Sequence, residues 1–267
     1  MGTRSSTNGT PHSMRSNVSG DPPLTVLPAA SQRLLDAARH VLATSGLPPV
    51  VLIGGLAVTM RVGAAGIAHR ATLDIDLVTV YVDREPQALE ILAAAHHSEQ
   101  HPLLVDNVKV DLIPTSPIVD GDLDGFSDKD ILFLAGHRWA FEGAEPARLS
   151  TAGSPPLDID VATPAGLVAA KSHAAGYPRS GRRATKHGSD LLDLFRLVDL
   201  YNIEGSLTQE LRSGPTELAR IIADVAQREI LINPAAAVNK MASASPTPID
   251  TNRVTDALEV FIEELRA

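Results

Sequence analysis

Apolar positions organise the chain from Ser31 onward. Leu34, Leu35, Ala38, Val41 and Leu42 recur at helical spacing, and Ser45-Gly46 with Pro48-Pro49 ends that run. Val50–Ile53 reads as a short buried strand. Gly54-Gly55 then turns the chain, and residues 56–62 read as a second helix. Residues 73–82 predict a strand, 86–95 a helix and 108–113 an alternating strand. Residues 131–134 and Leu157–Val161 are further strand candidates. After Thr163-Pro164 the pattern turns helical, since Thr163 suits an N-cap and Pro164 the first helical position. Helices are expected at 164–175, 189–202, 215–231 and 250–266, with residues 242–248 (ASASPTP) as a linker isolating the last one. No 20–50-residue repeat is present.

The expected fold class is therefore α+β, a mixed sheet with flanking helices followed by a helical domain. Residues 1–30, rich in Ser, Thr, Asn, Gly and Pro, read as a disordered tail, with Met14 an alternative start that would make residues 1–13 an extension. Residues 31–162 form the expected sheet domain and 163–267 the helical one.

Composition narrows the possible chemistry. The 267 residues carry 23 Lys and Arg against 32 Asp and Glu, a net charge of −9, which excludes a broadly basic nucleic-acid coat protein. Cysteine is absent, so disulfides, thiolate metal sites and a thiol nucleophile are excluded. No run approaches the roughly 18 apolar residues of a membrane span, and the N-terminus has no signal-peptide apolar core. The expectation is a cytoplasmic protein without membrane contact.

The chemistry concentrates in Leu73-Asp74-Ile75-Asp76-Leu77. On a strand, Asp74 and Asp76 share one face about 6.6 Å apart along the backbone, and Leu73, Ile75 and Leu77 share the other. Two like charges on one face raise each other's pKa and repel. Such a pair suits divalent metal, although a solvated acidic strand face would look the same. Upstream, the buried strand ending in Gly54-Gly55 offers close backbone approach and free helix N–H groups for a phosphate; a bare tight turn is the alternative. In Val108-Lys109-Val110-Asp111, Asp111 and Lys109 point opposite to the apolar residues, so Asp111 can join Asp74 and Asp76 if the strands are neighbours. Three carboxylates with metal suit phosphoryl or nucleotidyl transfer.

Residues 54–77, GGLAVTMRVGAAGIAHRATLDIDL, resemble the AbiEii-like nucleotidyltransferase toxins (AbiEii/AbiGii and MenT-type), within the DNA polymerase beta-like superfamily. His69-Arg70-Ala71-Thr72-Leu73-Asp74-Ile75-Asp76 matches the family's His-Arg-x-Thr and Asp-x-Asp stretch position by position. Val110-Asp111, Thr163-Pro164, Lys171 and Asp190-Leu191-Leu192-Asp193-Leu194 match later motifs in order, so the likeness covers about residues 50–200. The departures are a 20-position interval from Gly54 to Asp74, glycine at 55 where the wider superfamily often has serine, and Ser189 where the family often has a basic residue.

The resemblance implies a toxin of a toxin–antitoxin pair that moves NMP from a nucleoside triphosphate to an acceptor hydroxyl, above all the 3′ end of tRNA. It implies Mg2+ or Mn2+ on Asp74, Asp76 and Asp111, with Lys171 and Asp190 also in the catalytic set. Gly54, Gly55, Arg70, Thr72, Lys171 and Lys186 would bind the nucleotide. A cognate antitoxin is the implied protein partner. Lys171 to His187 includes Arg179, Arg182, Arg183 and Lys186 and no acid, which suits RNA or triphosphate but equally a solvated loop. Transfer to a protein or small molecule, or nucleotide binding without catalysis, are the alternatives. Leu157-Asp158-Ile159-Asp160 is read as structural, the Asp-rich 120–130 segment as a solvated loop, and the nine histidines offer no metal-binding spacing.

Overall fold

The computed structural model describes residues 21–81, 86–117, 123–177, 184–215 and 217–267. In chain order the elements are β1 (Leu24–Leu27), α1 (Gln32–Leu42), β2 (Val50–Ile53), α2 (Gly54–Ala64), β3 (Asp74–Val80), α3 (Ala88–Gln100), β4 (Leu103–Val105), β5 (Val108–Thr115) and α4 (Asp128–Glu142). Then follow β6 (Glu145–Thr151), β7 (Leu157–Val161), α5 (Pro164–Gly176), α6 (Ala184–Tyr201), α7 (Ser206–Arg212), α8 (Leu218–Ala226), α9 (Pro234–Ala242) and α10 (Thr251–Arg266). A π-turn, Gln227–Leu231, continues α8. The chain is α+β, with one mixed sheet of seven strands among the described residues. No helix among them is long and apolar enough to cross a membrane.

The strand order is β1-β6-β7-β2-β3-β5-β4. β2 pairs with β7 in parallel and with β3 antiparallel; β3 pairs with β5 in parallel. β2 is buried at all four positions, as a central strand covered on both faces must be. On β3, Ile75, Leu77 and Val78 are fully buried. One continuous apolar cluster joins β2, β3 and β5 to α2, α5, α6, α8 and α10. It therefore spans both sides of the expected boundary at residues 162 and 163.

Several expectations are corrected. Residues 131–134 lie inside α4, where Ser127 Oγ accepts from the Asp130 N–H at 3.3 Å and Asp128 and Asp130 occupy the first turn. Ile131 to Ala135 are all buried, so the run shows no amphipathic period, and four apolar residues do not distinguish a strand from a buried helix. Asp128 and Asp130 thus begin a helix rather than ending a solvated loop. The tail reading overreaches at Leu24–Leu27, which forms an edge strand parallel to β6. The segment 242–248 does not set α10 apart, because Val254, Leu258, Phe261 and Ile262 of α10 are buried in the common core. Strands β4 and β6 and helices α7 and α9 were not anticipated. α9 had a legible start: Asn233 Oδ1 accepts from Ala236 N–H at 3.1 Å, and Pro234 takes the first helical position.

Candidate active site

The antiparallel register of β2 and β3 places Ile53 opposite Asp76. Gly54, the next residue, therefore emerges beside the Asp76 carboxylate. Its φ is +68°, and a Cβ there would lie 1.8 Å from Asp76 Oδ2, so both conformation and space demand glycine. Gly55 faces elsewhere: a Cβ on it would meet Thr72 Oγ1 at 2.7 Å and Arg70 Nη2 at 3.1 Å. The glycine pair thus lets a strand-to-helix turn close against the two chain segments that follow it.

The parallel register of β3 and β5 pairs Asp76 with Asp111 and Asp74 with Lys109. Asp74, Asp76 and Asp111 each offer an oxygen within 4.8 Å of the other two, so the three could hold a metal ion. An all-carboxylate donor set is the hard-oxygen chemistry that magnesium and manganese prefer. Burial of the carboxyl first, and the Asp74 charge second, push Asp76 up to about 6. Asp76 keeps some accessible surface as a residue, but protein surrounds its carboxyl. Burial also acts to raise Asp74; Lys186, with Nζ 3.6 Å from Oδ2, and Thr72, whose hydroxyl donates to Oδ1 at 2.9 Å, outweigh it and draw Asp74 below the usual range. Lys109 forms a close ion pair with Asp111. The cluster is thus short of positive charge at its centre, Asp76, and partnered by lysines at its flanks. These features fit a divalent cation.

Beside the cluster lies a second, largely buried charge network centred on Asp193 of α6, whose own carboxylate is fully buried. Arg70 Nε and Nη2 donate to Asp193 Oδ1 and Oδ2 at 2.9 and 2.6 Å, a bidentate pair. His69 Nε2 donates to Oδ1 at 3.0 Å, and Lys171 Nζ lies 2.8 Å from Oδ2. Lys171 also donates to Asp190 Oδ1 at 3.0 Å. Burial would raise Asp193, but Lys171 and Arg70 together hold it far below the usual carboxylate range. Burial would likewise lower Lys171, and Asp190 and Asp193 reverse that, so the ammonium stays charged.

The predicted residues therefore separate into groups. Asp74, Asp76, Asp111, Gly54, Lys171, Lys186 and Asp190 all line one cleft. Arg70, Thr72 and Gly55 do not line it; they support it from the side, Arg70 through Asp193 and Thr72 through Asp74. Arg179, Arg182 and Arg183 lie outside the described residues. Asp193 was quoted in the sequence motif without a role. Its signal was the i, i+3 spacing from Asp190, which puts both acids on one helix face. The wall of the cleft was also missed: Phe133 and His137 from α4, and His173 and Tyr177 from the end of α5. Asp158 and Asp160 are exposed on β7, away from this cleft, and Asp158 pairs with Arg148.

Comparison of the whole chain with protein-family models and with curated proteins finds no match in either.

Proposed function

We propose that the chain is a metal-dependent nucleotidyltransferase that moves NMP from a nucleoside triphosphate to an acceptor hydroxyl. The observation that carries the reading is the meeting of Asp74, Asp76 and Asp111 at the floor of a cleft beside the Gly54 turn. Within this reading, the sheet with its flanking helices is the nucleotidyltransferase core, and residues 163–267 are its helical complement.

The three carboxylates would hold Mg2+ or Mn2+. When bound, such an ion neutralises phosphate charge and makes an attacking hydroxyl more acidic. The chain's own residues do the rest. The Gly54 turn, without a side chain, lets phosphate come close to the backbone at the start of α2. Lys186 and Lys171 supply positive charge at the cleft, Lys171 oriented by Asp190 and Asp193. A bond forms between the acceptor oxygen and the α-phosphorus, the bond from that phosphorus to the bridging oxygen breaks, and pyrophosphate leaves. The hydroxyl proton passes to a carboxylate of the cluster.

The resemblance of residues 54–77 to the AbiEii-like toxins favours the tRNA 3′ end as acceptor and a cognate antitoxin as partner. The test is a transfer assay with each of the four α-labelled nucleoside triphosphates, Mg2+ and total cellular RNA, with Asp76→Ala alongside. The expected result is label in the tRNA band for the wild type only. Label on protein or on a small molecule would move the acceptor, and triphosphate bound without any transfer would overturn the catalytic reading.

A further inference from the structure

The cleft that holds the carboxylates is also lined by rings. Tyr177, directly after α5, lines it with His173 and Phe133. The His173 and Tyr177 ring centroids are 6.1 Å apart, and those of Phe133 and His173 are 5.2 Å apart. Arg228 braces Tyr177 from outside α5. The Arg228 guanidinium carbon stands 5.4 Å from the centre of its ring, and Arg228 Nη2 donates to the Gly176 carbonyl at 3.0 Å. The neighbouring residue, Glu229, accepts from Arg228 Nε at 2.8 Å and faces His187, another cleft residue, at 3.4 Å.

Arg228 and Glu229 both come from the π-turn Gln227–Leu231. Such turns widen a helix locally and are frequent at functional sites. The end of α5 is packed against this region without slack: a Cβ on Gly176 would lie 2.7 Å from Val225 Cγ2 and 3.0 Å from Arg228 Nη2. A ring clamped in this way loses little freedom when a flat ligand stacks on it.

One cleft thus has an end suited to polyphosphate with metal and a wall of fixed rings. A bare phosphate ester makes no use of the second; a nucleotide uses both. Resting on the nucleotide reading above, we infer that Tyr177 is the stacking platform for the base of the bound nucleoside triphosphate, with Arg228 the positioning residue that holds the ring in place. Every base has a π-face, so the platform accepts all four bases and discriminates little among them.

The test is equilibrium binding, by calorimetry, of ATP, CTP, GTP, UTP and inorganic tripolyphosphate, each with Mg2+. The protein is the full chain, wild type or carrying Tyr177→Ala, Tyr177→Phe or Arg228→Met. Stacking on an aromatic side chain is worth about 1–3 kcal/mol per base, so Tyr177→Ala should weaken nucleotide binding about 5- to 150-fold. It should leave tripolyphosphate binding unchanged, which also reports that the variant is folded. Tyr177→Phe should bind nucleotide like the wild type, and Arg228→Met should shift nucleotide alone, by less than Tyr177→Ala. Unchanged nucleotide binding in Tyr177→Ala, or equal loss of nucleotide and tripolyphosphate, would overturn the platform. So would nucleotides that bind the wild type no more tightly than tripolyphosphate. A wild type that shows the expected binding pattern yet transfers nothing would overturn the transfer reading alone and leave the platform standing.

Discussion

A methyl group placed on Gly54 would sit 1.8 Å from Asp76 Oδ2, so the turn after β2 and the acid on β3 occupy adjoining space with no room between them. Gly54→Ala should therefore push the Asp76 side chain as a whole, from its Cβ at 2.7 Å outward, and β3 with it. Gly66 is the control: its φ is +75°, but nothing lies within 4 Å of its Cβ position. A left-handed non-glycine residue costs about 1–2 kcal/mol. Gly66→Ala should lose about that much stability in urea melts and keep nucleotidyl transfer, while Gly54→Ala should lose more stability and transfer with it.

Asp193 predicts the opposite profile, a large stability effect. Removing one member of a buried ion cluster leaves its partners uncompensated and costs about 3–5 kcal/mol. Asp193→Asn should therefore unfold at clearly lower urea concentration than the wild type at pH 7. The pH dependence has a definite sign. The folded-state pKa is depressed, so the contribution is present above the unfolded value of 3.8 and is lost as pH falls below it. The gap between wild type and variant should narrow between pH 4 and pH 2.

Asp76 works the other way. Its folded pKa of about 6 stands above the model-compound value of 3.8. Between those values the native state keeps a proton that the unfolded chain has released, so stability falls as pH rises from about 4 to 6. Asp76→Asn removes that penalty. Its melting temperature should match the wild type near pH 4 and exceed it at pH 7.5 without metal. Added Mg2+ should raise the wild type and leave the variant nearly unmoved, because only a ligand of the native state shifts the melt.

The second Asp-x-Asp gives a negative prediction. Asp158 and Asp160 are exposed on β7 outside the cleft. Asp158→Asn and Asp160→Asn should each change stability by less than about 0.5 kcal/mol and leave transfer intact. Loss of transfer in either would mean that the wrong Asp-x-Asp had been placed at the metal.

Much of the cleft was legible because strand periodicity fixes faces. Alternation alone put Asp74 with Asp76 and turned Asp111 away from Val108 and Val110, and the register Asp76–Asp111 then brought them together. Pairing partners were not legible, since alternation says nothing of which strands adjoin. Arg70 illustrates the limit: a phosphate-binding arginine and one saturated by a buried acid 123 positions away look identical in sequence. β4 was hidden by brevity. Its signal was Asp106-Asn107, with φ of 51° and 57°, which makes a two-residue hairpin turn into β5. α4 was hidden by the reverse problem, burial so complete that its helical period disappeared.

The Asp193 network has a consequence for how the chain can be divided. His69 and Arg70 lie before residue 162, and the buried carboxylate that both of them contact lies after it. Arg61 of α2 donates to the Ala162 carbonyl at 2.8 Å, and Tyr201 of α6 donates to the Arg61 carbonyl at the same distance. A fragment ending at residue 162 would retain Asp74, Asp76 and Asp111 but leave the Arg70 guanidinium without its counter-charge and His69 without its hydrogen-bond acceptor; the complementary fragment would hold Asp193 and Lys171 with the arginine missing. Neither is electrically complete. Expressed apart, the two pieces should remain unfolded until mixed, as the halves of a split protein do.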